Sequence, residues 1–301
     1  MTQLMQKYYD KLFIDTAKHT LIHEEGAQIR PLPQGTGKIV YFQKYTAMPI
    51  VTAALTEGAN PTSVNLSATN VSATVSEFGS YTTISRLLSL TAVDPKMKGA
   101  VEVMGQNAGE SRDQMVRNKA FYGATVQLAA ASGALTDVGL TDVMSATEVR
   151  KAVRSLKVAK AQKYADGYFL GKIGNYASFD LMGDTTWTNA KVYSDVNDLY
   201  KGELGRLHGV RFLETTNGKE TANAGTSSAD IMHTYVHGKN AIGMTELNGD
   251  SKRIIVKTPG ESDTSNPLNR FSTVGWTDSY VPVPLVAAWI IEIKSGATSK
   301  T

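Results

Sequence analysis

Cysteine is absent from all 301 residues, which removes disulfide scaffolds, thiolate metal sites and cysteine nucleophiles. Its absence suits a reducing cytosol. Long apolar runs are absent too. The longest, at 283–291, is interrupted by Pro284 and falls far short of the roughly 20 residues a membrane span requires. The opening stretch MTQLMQKYYDKLFIDTAKHT is amphipathic and of mixed charge, without the apolar centre of a secretion signal. Without such a signal, the sequons Asn65-Leu66-Ser67 and Asn70-Val71-Ser72 are chance matches. Blocks of basic residues are missing and the net charge is only +3, so an ordinary solvated surface is expected rather than a nucleic-acid reader. At 42% hydrophobic and 20% charged, the chain has the makeup of a globular protein of one large domain or two.

Charge is almost missing from one segment. Between Tyr45 and Ser76 the only charged residue is Glu57. The surrounding stretch, 38–85, is dominated by Val, Ile, Thr, Tyr and Phe, which favour extended backbone. Two strand-like runs flank the breakers Glu57-Gly58-Ala59-Asn60-Pro61-Thr62, predicting one long hairpin. Limbs of about 17–21 residues, at roughly 3.3 Å each, would reach on the order of 55–70 Å. Side chains this small cannot bury enough apolar surface for a hairpin to stand alone in water. Nor are there charges to guard its edges. The segment is therefore expected to lie on another copy of the chain.

Residues 1–37 read as an arm, with an amphipathic helix over about 2–17 and the breakers Arg30-Pro31-Leu32-Pro33-Gln34-Gly35-Thr36-Gly37 behind it. After Thr91 the period changes. Asp94-Pro95 supplies an N-cap and a first-turn proline. Met97, Val101, Met104, Ala108, Met115 and Tyr122 then recur at helical steps. A helix over 94–122 would be about 43 Å long. Gly105 and Gly109 lie one turn apart inside it. Either another backbone comes close there or the helix is kinked, since each glycine costs roughly 1 kcal/mol. Ser145-Ala146-Thr147-Glu148 fits a capping box, opening a helix with Val149, Ala152, Val153, Leu156 and Ala159 on one face. A buried strand at 167–173, helices at 175–182 and 188–200, and a strand at 209–215 suggest an α/β unit over about 145–240. Strands return at 253–257 and 272–293, with Pro282 and Pro284 marking an edge or a bend. The closing strands are expected to join the long helix in a second, non-contiguous unit, giving an α+β fold class.

Signals for chemistry are sparse. His19 and His23 stand four apart, as do His233 and His237. The second pair falls in strand-like sequence and the first lacks the HExxH order, so both are read as ordinary histidines. The glycine-rich stretch 202–209 lacks the order of a phosphate loop and reads as a tight turn feeding Val210. There is no GxSxG elbow, and Asp180, Asp184, Asp195 and Asp198 follow no motif. No catalytic residue, cofactor or metal ligand is expected, and the chain is not expected to be an enzyme.

The order of parts resembles the major capsid protein of tailed bacteriophages, the Hong Kong 97-type fold. Five blocks narrow the resemblance to podophage-type coat proteins. They are Phe13-Ile14-Asp15-Thr16-Ala17-Lys18 with Leu21-Ile22-His23; Leu55-Thr56-Glu57-Gly58; Leu90-Thr91-Ala92-Val93-Asp94-Pro95; residues 199–215, LYKGELGRLHGVRFLET; and Thr273-Val274-Gly275-Trp276. The likeness runs from about residue 8 to 293. It implies an N-terminal arm (1–37), an extended β-hairpin loop (38–85), a peripheral domain with the spine helix (86–144 and 241–301) and an α/β axial domain (145–240).

The function implied is structural: self-assembly, through hexamers and pentamers, into an icosahedral shell around packaged double-stranded DNA that is touched only non-specifically. The virion capsid, and the host cytoplasm during assembly, are the implied locations. Some relatives crosslink a loop lysine to a neighbour, but no lysine lies between Tyr45 and Ser76. The arm is short, so a separate scaffold, or none, is expected; portal and decoration proteins are further potential partners, and no membrane is. Contacts between copies are expected at Tyr45, Met48, Leu55, Glu57, Asn60, Val71 and Val75 of the loop, and at Gly105 and Gly109 of the helix. Two other classes compete: an encapsulin-type compartment shell, which shares the fold but holds protein cargo, and a hydrolase, which would need a pocket of convergent side chains.

Overall fold

The computed structural model describes residues 3–18, 21–91, 96–130, 133–187, 204–247, 252–257, 267–268 and 270–298. Helix α1 (Gln3–Lys18) leads to the two-residue strand β1 (Gln28–Ile29). Strands β2 (Ile39–Tyr45), β3 (Ala68–Thr74) and β4 (Ser76–Ser85) follow, then helices α2 (Arg86–Thr91) and α3 (Lys96–Ala120). Next come β5 (Thr125–Leu128), α4 (Ala146–Val158), β6 (Phe169–Gly174) and α5 (Asn175–Gly183). The chain continues through β7 (Gly205–Leu207), β8 (Val210–Thr215), β9 (Lys219–Thr221), β10 (Ile231–His237) and β11 (Ile242–Glu246). It closes with β12 (Arg253–Lys257), β13 (Phe271–Pro284) and β14 (Ile290–Ser295).

Strand β13 organises the first sheet, in the order β1-β11-β13-β12 with β4 also on β13. Alternation decides its faces: Val274 and Trp276 point into a core with Ile254, with Val101, Met104 and Ala108 of α3, and with Phe13 of α1. Tyr280 pairs with both Ser76 of β4 and Glu246 of β11, so those strands flank β13 on opposite sides. Beyond Tyr280 the β4 ladder has ended, and Pro282 and Pro284 fall where only β11 pairs. A residue without an N–H fits such an open side.

The second sheet runs β5-β14-β10-β6-β8-β7, with β9 on β10. Helices α4 and α5 cover one face through Val149, Val153, Leu156, Ala177 and Leu181, packed on Phe169, Ile173, Val210, Phe212, Val236 and Ile291. The parallel pair β6 and β8 is joined by the segment carrying α5, as a parallel connection requires a crossover. The sheet's other face meets the C-terminal end of α3. Val116, Ala120 and Phe121 pack with Tyr235 and Ile290 of this sheet and with Ile242, Met244 and Tyr280 of the first. One helix thus shares its length between two cores.

Several expectations are corrected. Residues 241–301 do not form one closing unit: β14 pairs with β10 and β5 in the second sheet, so both β5 and β14 belong with α4 and α5. Pairing of β14 beside the buried β10 buries Ile291 and Ile293, which an edge of the first sheet would not. The capping box does not close. Ser145 is the N-cap of α4 but its side chain makes no cap bond. The Asp184 carboxylate accepts the Ala146 N–H at 2.9 Å instead, and Glu148 is drawn aside by Gln127 and Lys151. The hairpin ladder is shorter than expected, seven residues on each strand, from Ile39↔Thr74 to Tyr45↔Ala68. The Asp94-Pro95 cap and the helix expected at 188–200 lie outside the described residues.

Candidate assembly surface

The root of the hairpin is held by its inner face. Val40 and Phe42 of β2 oppose Ala73 and Val71 of β3, and this face packs on Leu32, Leu247, Val281, Val283 and Leu285. Arg30 adds a guanidinium bond to the Tyr41 carbonyl at 2.7 Å. Ile39, Tyr41 and Tyr45 alternate onto the outer face and are exposed. The last rung is Thr46 N–H to the Ser67 carbonyl, 2.9 Å. Pro49 follows, lacking an N–H for any further ladder.

Residues 46–67 then form a loop with no strand. Its tip is a turn in which the Ala59 N–H bonds to the Thr56 carbonyl at 3.1 Å, with Gly58 at φ 77°. That φ suits glycine, which lacks the Cβ that would clash. Every residue of this loop is exposed, including Ile50 at 80%, Val51 at 82% and Leu55 at 71%. Met48, Val64 and Leu66 are exposed beside them. Covering these six side chains would contribute on the order of 10 kcal/mol before the cost of association. Single exposed apolar residues are ordinary; this many on a segment whose only charge is Glu57 make it the candidate interaction surface.

The expected contact residues divide into two groups. Tyr45, Met48, Leu55, Glu57 and Asn60 lie on the exposed loop and the hairpin end. Val71 and Val75 are half-buried against their own chain under the hairpin. Gly105 is covered by α1: a Cβ there would lie 3.1 Å from Thr16 Cβ and 3.2 Å from the Phe13 carbonyl. Gly109 is buried one turn later, lining a small crevice with Phe13, Ala17 and Leu21. At Gly105 the close approach is made by its own chain, because α1 folds back along α3. Ile50, Val51, Val64 and Leu66 share this exposure without having been expected as contacts, although their apolar character in a stretch whose only charge is Glu57 was the signal available.

A buried polar junction fastens the segment after α1 to the body. Arg112 of α3 forks onto Glu24 at 3.0 and 3.2 Å and also bonds Asp278 and Glu246. Its guanidinium lies 4.7 Å from the centre of the Tyr280 ring. Burial alone would lower its pKa, but Glu24, Asp278 and Glu246 outweigh that and raise it. Asp113 accepts the Ile22 and His23 N–H groups at 2.9 and 2.7 Å and meets the His23 Nδ1 at 2.7 Å. Burial lowers the His23 pKa despite that carboxylate. Lys172 of β6 donates to the His23 and Glu25 carbonyls and is pushed down to about 7 by burial. Beyond the spacing of His19 and His23 these residues carried no sequence signal, since each partner is distant in the chain.

His233 and His237 have structural places. His233 bonds Glu292 and Thr221 at 2.7 and 2.8 Å, and His237 lies 3.1 Å from the Tyr164 hydroxyl. His19 lies outside the described residues. Among the described residues no group of three or more acidic or histidine ligands gathers to hold a metal, and no helix is long and apolar enough to cross a membrane.

A hairpin arm, a long helix shared by two sheets and an α/β layer are the parts to be compared with known folds. The capsid protein of Ralstonia phage GP4 is similar over 92% of this chain and 89% of its own, with a TM-score of 0.70 at 13% identity. The capsid of cyanophage Pam1 is similar over 95% and 93%, with a TM-score of 0.67 at 18% identity. A virus-like particle from Pyrococcus furiosus matches over 96% and 99%, with a TM-score of 0.52 at 7% identity. No protein-family model matches the chain, and no curated protein does. The fold is the α+β Hong Kong 97-type capsid fold, with its arm, extended loop and spine helix.

Proposed function

We propose that this chain is a structural major capsid protein, many copies of which assemble through hexamers and pentamers into an icosahedral phage shell around packaged double-stranded DNA. The loop at 46–67 carries the reading: its apolar side chains are exposed on the subunit, on a fold similar to phage capsid proteins. Tyr45, Met48, Leu55, Glu57 and Asn60, with Ile50, Val51, Val64 and Leu66, touch a neighbouring copy. The unit built on β13 is the peripheral domain and the unit under α4 and α5 is the axial domain. The role is structural and not enzymatic. The shell is the virion capsid, built in the host cytoplasm with a separate scaffold or none, and with a portal.

A compartment shell of the encapsulin type is the second reading, supported by the likeness to the Pyrococcus furiosus particle. Its TM-score of 0.52 against 0.70 for the Ralstonia phage capsid favours the phage. Contents separate the two: nucleic acid or protein cargo inside purified shells.

Replacement of residues 46–67 by a short Gly/Ser turn tests the reading. Shortening the loop changes closure entropy by only about 1 kcal/mol, so the subunit should keep its native circular dichroism. Negative-stain micrographs of the same preparation should lose shells entirely. Normal shells from this variant, or outright unfolding, would overturn the proposed arm.

A further inference from the structure

Helix α4 separates its residues cleanly. Val149, Ala152, Val153 and Leu156 face the second sheet and are buried. Arg150, Arg154 and Lys157 stand exposed on the outer side, spaced four and three residues apart. At about 1.5 Å per residue this row is roughly 10 Å long. The turn between β7 and β8, with His208 at φ 49°, brings a fourth basic side chain to the row. Together with Val153 and Val158 these residues line an open cleft of about 510 Å³.

Among the described residues no carboxylate lines the cleft. Glu148, the one acid of α4, is buried and bonded to Lys151 and Gln127. Asp184, which faces His208, already accepts the Ala146 and Thr186 N–H groups. Arg150, Arg154, Lys157 and His208 form no ion pair among the described residues. Burial, and then Arg150, both disfavour the charged form of His208. Like charges gathered this way work against the free subunit and add nothing to its core, so they fit an anionic partner.

We infer that this face of α4 binds the phosphodiester backbone of double-stranded nucleic acid without reading its sequence. Guanidinium groups match phosphate oxygens in a bidentate way. Duplex DNA carries about one charge per 1.7 Å of axis, so a row of cations roughly 10 Å long meets phosphates in any register. Among the described residues the lining holds no Phe, Tyr or Trp on which an unpaired base could stack. The open, extended shape suits a repeating polyanion better than an enclosed small ligand. The inference rests on the shell reading for the source of the nucleic acid.

The test is fluorescence anisotropy of a labelled 30-base-pair duplex titrated with unassembled subunits. With three phosphate contacts the salt slope should be about −2.7, so binding weakens about 40-fold between 50 and 200 mM salt. R150Q/R154Q/K157Q should lose that binding and its slope. K44Q/K98Q/K239Q carries the same net charge and should bind as the original does. An original protein that does not bind the duplex, a triple variant that still binds it, or equal loss in both variants would overturn the inference. So would unchanged duplex binding with lost shells, which would make this face a contact between copies. Shell formation is scored separately on micrographs. Its failure in the unaltered protein would overturn the capsid reading and leave the binding result standing.

Discussion

Two regions of this molecule invert the usual partition of side chains, in opposite senses. The loop at 46–67 holds Ile50, Val51 and Leu55 in water. The junction at the middle of α3 holds Arg112, Asp113 and Lys172 away from it. The two are equally unusual but not equally provided for. Arg112 meets three carboxylates and an aromatic ring, and Lys172 two carbonyls. The loop's apolar side chains are exposed on the subunit. The junction is thus completed by its own chain, while the loop's cover is, on the proposed reading, a neighbouring copy. Burial without partners would be prohibitive for charge, whereas exposure of apolar surface is merely costly, so only the second can be left open until assembly.

The sharpest way to break this contrast is Arg112→Met. It leaves Glu24, Glu246 and Asp278 facing one another around an apolar side chain. A loss of about 3–5 kcal/mol is expected, since an uncompensated buried charge is the expensive case. Urea unfolding reads it, and a loss below about 1 kcal/mol would mean the junction is not a fastener.

Next in size is Gly105→Leu. With Thr16 and the Phe13 carbonyl already within 3.2 Å of where its Cβ would sit, overpacking of about 1–3 kcal/mol is expected. The strain falls on the contact between α1 and α3, so the loss should show in isolated subunits. A variant more stable than the original, as helix propensity alone would give, would remove the close approach from the account.

The junction should also respond to pH where the loop does not. Lys172 is pushed down to about 7 by burial, and burial lowers His23 and His237 as well. Below about pH 7 both folded and unfolded chains hold the Lys172 proton, and the cost of burying it is felt in full. Above that, the unfolded chain keeps a proton the folded chain has shed, so stability rises with pH until the unfolded lysine titrates near its ordinary value. The slope is at most about 1.4 kcal/mol per pH unit for one proton. The histidines act in the same direction at lower pH: their contribution is present above the ordinary histidine value and is lost as pH falls towards their lowered values. Urea midpoints between pH 6 and 9 should therefore climb, and Lys172→Met should flatten the climb above pH 7.

The smallest effect sharpens the contrast from the other side. Ile50→Ser with Leu55→Ser should change subunit stability by no more than about 0.5 kcal/mol, as exposed sites usually do. Shell yield on the same material should fall. A subunit that melts earlier would mean the loop packs on its own body.

How much was legible follows from range. The missing charge between Tyr45 and Ser76 pointed to the exposed arm, because absence of charge is visible residue by residue. The end of the ladder at Tyr45 was not visible, since it depends on where β13 stops offering Val281 and Val283 as support. Gly105 was legible as a close approach, but α1 as its partner was not. The basic row on α4 stands at helical spacing, Arg150, Arg154 and Lys157, and forms no consecutive run of cations in the sequence.

Local chemistry alone determined the amphipathic helices, the strands rich in β-branched residues, the loop with its single charge and the absence of thiol chemistry. These follow from neighbours a few residues apart. Only the tertiary structure decided that β5 and β14 join the sheet on which α4 packs, that Val71 and Val75 turn inward, and that Asp184 caps a helix 38 residues away. It alone joined Arg112 to Asp278 across 166 residues. Partners so distant in sequence leave no periodicity or spacing to read. Their pairing is set by which surfaces the two sheets leave open once α3 has been divided between them.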